Sequence, residues 1–191
     1  MKRAIVGLFL LLTTSANAAN VRFYESNKNK DWEIFGVVKS DKGIPYDRCL
    51  MQRSYKDGSY IQLIKDLSNN QTHMLIANAE WNLTVTPENK PDGKSRIFFI
   101  RNSEIADGSS NFFIIGKKEI IFPDLNEEFL RNWIEYKAVL VIMPPEYNFV
   151  KFTLDNTTNA LMELVDCIKT YNKLPQKKQT PILPNAVERK A

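Results

Sequence analysis

RCLMQRSYKDGSYIQLIKDL, residues 48–67, consists of two strand-like runs on either side of Lys56-Asp57-Gly58. Asp-Gly is a strong hairpin cue because glycine accepts the positive φ that tight hairpin turns demand. The spacing therefore predicts paired strands over Arg48–Tyr55 and Ser59–Leu67, and with them an antiparallel sheet as the frame of the protein.

Upstream of this hairpin, Trp32, Ile34, Gly36 and Val38 alternate with Glu33, Phe35 and Val37, the period of a first strand. Residues 20–30 are polar and read as a loose lead-in, and Lys39–Asp47, with Asp41-Lys42-Gly43 and Pro45, carries turn chemistry. Downstream, Ser68-Asn69-Asn70-Gln71 is a turn, and His73–Ala79 and Trp81–Val85 read as strands. Pro87–Lys94 reads as a surface loop. Arg96–Arg101 and Asn111–Gly116 resemble another antiparallel pair, with Ala106-Asp107-Gly108-Ser109-Ser110 as the connection, and Lys118–Phe122 adds a short strand.

The period changes at Asp124, an expected N-cap with Glu127 three residues on, ahead of a helix whose apolar face is Leu125, Phe129, Leu130 and Trp133. Strands over Ala138–Met143 and Phe149–Leu154 flank Pro144-Pro145. The longest helical pattern opens at Asp155–Thr158 and places Ala160, Leu161, Leu164, Val165, Ile168 and Tyr171 on one face, with Cys167 at its flank. Many short strands with two helices predict an α+β fold. Its sheet is expected to be an antiparallel β-rich sandwich or half-barrel, carrying a short helix and a C-terminal helix packed on it.

At the start of the chain, Lys2 and Arg3 precede the apolar run Ala4–Leu12 and polar Thr13-Thr14-Ser15, and Ala16-Asn17-Ala18 supplies small residues at the two recognition positions of signal peptidase. Cleavage is expected between Ala18 and Ala19. The apolar run is far shorter than the roughly 20 residues a membrane-crossing helix needs. No later stretch is long and apolar enough to span a membrane as a helix. Residues 1–18 are thus read as a signal peptide, 19–172 as one β-rich domain and 173–191 as a disordered tail rich in proline and lysine. Periplasmic or secreted localisation follows.

Once the signal is removed the chain carries 24 basic and 22 acidic residues, and the tail holds five of those bases (Lys173, Lys177, Lys178, Arg189, Lys190) against Glu188. A near-neutral body with a basic tail lacks the basic stripe of a nucleic-acid-binding domain, so no nucleic-acid partner is expected, although the tail is suited to anionic envelope surfaces. Two cysteines and a lone histidine cannot assemble a zinc site of the usual ligands. In an oxidising compartment Cys49 and Cys167 read as a structural disulfide, the alternative being free thiols.

No GxSxG, HExxH, Walker loop or GxGxxG is present, and no cofactor or metal is expected. His73, beside Met74, Leu75 and Ile76, reads as a packed or edge residue, and Glu127 and Glu128 as a solvated helix face. Trp32, Trp81 and Trp133 are the aromatic candidates for a binding groove, with burial in the core as the competing fate. Sequons at Asn70, Asn82 and Asn156 leave glycosylation open.

Asp31-Trp32, Cys49-Leu50-Met51-Gln52, the stretch Phe129–Met143, and Phe152-Thr153-Leu154 leading to Ala160-Leu161 resemble the invasion-associated locus B family of small exported bacterial proteins. The chain departs from that family in lacking further cysteines after the strands and in carrying Cys167 inside the last helix. The resemblance implies a secreted β-rich domain in a Gram-negative bacterium, linked to the envelope, host interaction or virulence, with an envelope or host protein as partner and no established enzymatic mechanism. The expected function is a non-enzymatic envelope binding protein that uses a sheet face or edge. The alternatives are an inhibitor or immunity-type protein with a protruding loop at 87–95, and a hydrolase with a site assembled from carboxylates.

Overall fold

A computed structural model describes residues 20–26, 28, 30–39, 47–85, 90–143 and 148–174. The expected cleavage point at Ala18 and Ala19 and the tail from residue 175 onward lie outside the described residues.

In chain order the elements are β1 (Asn20–Ser26), β2 (Glu33–Lys39), β3 (Arg48–Ser54), β4 (Tyr60–Asp66), β5 (Thr72–Ala77), β6 (Gly93–Arg101), β7 (Glu104–Gly116), β8 (Glu119–Phe122), α1 (Glu127–Glu135), β9 (Ala138–Met143), β10 (Asn148–Thr153) and α2 (Thr157–Asn172). The strands form one antiparallel sheet in the order β1-β2-β3-β4-β5-β8-β7-β6-β9-β10. The fold is α+β, and its sheet curls as in a half-barrel or sandwich. The bend sits in β7: Glu104–Phe112 pair with β6, whereas Phe113–Gly116 pair with β8 through a register shift.

The expected hairpin at Lys56-Asp57-Gly58 is present. Gly58 has φ 82°, Tyr55 N–H donates to Ser59 O at 2.9 Å, and the Asp57 carboxylate accepts from Ser59 N–H at 2.9 Å. Period-2 alternation then turns Cys49 and Met51 of β3, Ile61 and Leu63 of β4, and Met74 and Ile76 of β5 to one side. Opposite them, Ile97 and Phe99 of β6, Val139 and Val141 of β9, and Phe152 of β10 complete one core.

The helix α2 packs over β1, β2 and β3, burying Ala160, Leu164 and Cys167. Cys49 and Cys167 are joined as a disulfide with Cα atoms 6.1 Å apart, so the last helix is covalently held to the third strand.

Four local expectations are corrected. Asn20–Ser26 is a strand rather than a lead-in; its alternation is interrupted by an irregularity between Arg22 and Tyr24, and both Phe23 and Tyr24 pack against the core. The segment Ala106–Ser110 is strand, because the reversal between β6 and β7 falls at Asn102-Ser103, where Asn102 takes φ 53°. Asparagine tolerates that conformation, so the turn needs no glycine. Trp81–Val85 is irregular, tied down by bonds from Trp81 N–H to Asn78 O and from Leu83 N–H to Lys117 O. Finally, Asn126 rather than Asp124 caps α1, accepting from Phe129 N–H at 2.8 Å.

Candidate functional site

Two of the three tryptophans proposed for a groove are core residues. Trp32 is 1% and Trp133 0% exposed, with ring centroids 6.4 Å apart. Trp32 also donates its indole N–H to Asp155 O at 2.8 Å, which ties the start of β2 to the entrance of α2. Trp81 is half-buried against the same core. The three do not converge on one surface.

Two polar networks gather around His73 and Arg53. Buried His73 accepts at Nδ1 from the Asp124 backbone N–H at 3.2 Å, which steadies Asp124 at φ 53° just before α1. Burial pushes the imidazole below its ordinary pKa, and Asp66 and Asp124 pull it up in part. Asp66 is itself buried and accepts from the backbone and hydroxyl of Ser68 at 2.8 and 2.6 Å. At the other end of the sheet, Asp31 and Asp155 both approach Arg53, at 3.9 and 3.6 Å. Arg53 thus lies between the two carboxylates, within ion-pair distance of each. Among the described residues no group of three or more His, Cys, Asp or Glu side chains is placed to hold a metal ion.

A different surface emerges from the register of β6, β7, β9 and β10. Side chains alternate between faces, so the neighbours of the core residues in these strands point away from the core. Ile142 lies between Phe149 and Arg96; Leu140 and Phe98 lie between Lys151 and Asp107; Ala138 and Ile100 lie between Thr153 and Ile105. Six large apolar side chains, Phe98, Ile100, Ile105, Leu140, Ile142 and Phe149, thus share the outer face, and none belongs to the core cluster. Phe149 is 69% and Ile105 64% exposed. Neither helix packs against this face: α2 lies on β1–β3, and α1 joins the core side through Phe129 and Trp133, the former 4.9 Å from the Phe99 ring.

Charge is placed around the patch. The Arg96 guanidinium lies 4.8 Å over the Phe98 ring and 3.4 Å from the Asp107 carboxylate. Lys94 and Lys151 are exposed. A shallow depression of about 430 Å³ runs between Lys94, Arg96 and Gly108 beside it.

The patch ends at an open strand edge. Leu154 N–H donates to Lys137 O, so the backbone groups of even-numbered β10 residues face β9 and those of Phe149, Lys151 and Thr153 face away. Thr153 O accepts from Tyr55 O–H at 2.9 Å. Beyond that contact, β10 has β9 as its sole strand neighbour among the described residues.

The sequence reading missed this face. Its signal was legible in Ile97-Phe98-Phe99-Ile100 and Val139–Ile142, which are apolar on both faces although only one of them faces the core.

No protein-family model matches this chain, and no curated protein or solved structure matches it.

Proposed function

We propose that this protein is a non-enzymatic periplasmic or secreted binding protein of the bacterial envelope, which holds a partner on the outer face of β6, β7, β9 and β10. One observation carries the reading: six large apolar side chains lie together on a sheet face opposite the core, with Phe149 standing 69% exposed. Contiguous apolar surface of this kind on a folded domain marks an interaction site more often than chance. Export is supported by the signal-like start of the chain and by the Cys49–Cys167 disulfide, a bond that persists in oxidising compartments. No helix among the described residues is long and apolar enough to cross a membrane. The resemblance to the invasion-associated locus B family points the same way, toward the envelope and a role in host interaction or virulence. The basic tail adds a contact with anionic envelope surfaces.

The test is a photocrosslinking amino acid placed at residue 149 and, as a control, at exposed Met162 on α2, in protein exported by its native host. A discrete adduct at 149 that is missing at 162 is expected. Equal labelling from both positions, or none at 149, overturns the reading.

A further inference from the structure

We propose that the partner enters this face as an extended polypeptide strand, adding to β10 as the next strand of the sheet and presenting an acidic side chain to Lys151 and an apolar one to Phe149. The inference rests on the binding-face reading and assigns the chemistry of its occupant.

Three observations converge on β10. The backbone N–H and C=O groups of Phe149 and Lys151 point out of the sheet and meet no strand among the described residues. Edge groups of this kind are a template for strand addition, in which main-chain hydrogen bonds supply affinity and alternate side chains supply specificity. Phe149 and Lys151 also project onto the apolar outer face, so side chains of an added strand opposite them would continue the rows that run through Ile142 and Leu140. The added segment is short, because Tyr55 already occupies Thr153 O at the end of the edge.

Charge selects the occupant. The strand NFVKFT contains no acidic residue, so a second copy pairing β10 with β10 offers Lys151 no counter-charge from within the strand, and the register centred on Lys151, which sets the outward amides of the two copies against each other, sets lysine against lysine. An anionic bilayer would match Lys151 and Phe149, yet it would leave the outward amides without carbonyl partners in a region poor in water. An extended acidic-apolar peptide satisfies all three features.

Synthetic acetyl-TTEVLVT-amide carries glutamate and leucine two residues apart, matching Lys151 and Phe149 in an antiparallel register. Its fluorescein-labelled form, titrated with the full mature protein, should show saturable anisotropy. Lys151→Glu should weaken this binding about tenfold and restore it for the peptide with lysine in place of glutamate. N-methylation of alternate peptide amides should abolish it. Both residues are exposed, and an unchanged thermal transition for Lys151→Glu confirms an intact fold. Absent binding, or binding indifferent to charge reversal and to N-methylation, overturns the strand assignment. So does Phe149-dependent sedimentation with phosphatidylglycerol vesicles in place of peptide binding, or a Phe149-dependent dimer in analytical ultracentrifugation. If the crosslink from residue 149 forms while the peptides fail, the strand is wrong and the face stands. If both fail, the face falls too.

Discussion

Cys49 sits on β3 and Cys167 near the end of α2, 118 residues apart, both with no exposed surface. Joining them restricts the unfolded chain far more than it alters the folded one, so Cys167→Ser should cost about 2–5 kcal/mol, read by denaturant titration against wild type with and without reductant. A reductant-insensitive wild type of the same stability as the variant would contradict this. His73 gives a pH signature. Burial lowers its folded pKa below the ordinary 6.5, so the unfolded chain takes up the proton first as the medium acidifies. Stability from this group is complete above the unfolded pKa and is lost as pH falls through the lower folded value. Protonation at Nδ1 would also remove the acceptor for Asp124 N–H. Denaturation measured between about pH 7 and 5 should show stability declining with acid, and His73→Asn should remove that part of the slope; parallel curves would refute it. Phe149 behaves oppositely. Exposed and outside the core, it should accept Phe149→Asp with a stability change within about 0.5 kcal/mol, although the same change should abolish partner capture.

Among the elements, α1 is the most dependent on a single local contact. It has nine residues and buries Trp133, and its first turn is closed by the Asn126 side chain on Phe129 N–H. Asn126→Ala should cost about 1 kcal/mol, measured by thermal or urea unfolding. Asp124 lies outside the helix, at positive φ and held by His73, so its side chain should contribute no comparable cap; an equal loss from Asp124→Gly, which removes the side chain and keeps the positive φ unstrained, would show the assignment of the cap to be wrong. The first strand depends on tertiary partners instead. Phe23 lies over Gly36, where any Cβ would overlap its ring, and its ring centroid is 5.6 Å from that of Tyr171 on α2. The hydroxyl of Ser26 donates to Glu163 on the same helix. These contacts reach from one end of the described chain to the other, and β1 is held on one side by β2 and on its face by α2.

For the whole molecule, the core is shared between both halves of the bent sheet and both helices, whereas the basic segment past α2 is predicted from its composition to contribute nothing to that core. Deleting residues 175–191 should leave the thermal transition nearly unchanged and remove any salt-sensitive association with envelope fractions, because attraction to anionic surfaces is screened over about 8 Å at physiological ionic strength. Fractionation of full-length and truncated protein at low and high salt reads this directly; identical membrane-associated amounts in all four conditions would assign the tail no such role. Export itself is checked by intact mass, with the mature chain expected to begin at Ala19.

What the amino-acid order settles alone is whatever depends on neighbours in sequence. The alternation from Trp32 to Val38, the Asp57-Gly58 turn and the apolar face Ala160-Leu164 of α2 specify strand, hairpin and helix because their periods are local. The signal-like start of the chain led to the expectation that the two cysteines are paired, and the disulfide is present. Tertiary structure decided the rest. The polar run Asp107-Gly108-Ser109-Ser110 became strand because β6 supplied its hydrogen-bonding partners, and Trp32 and Trp133 became core because the sheet curled around them. The open edge of β10 and the apolar face beside it are products of strand order. Burial depends on which element covers which face, and that is fixed by contacts between residues far apart in the chain.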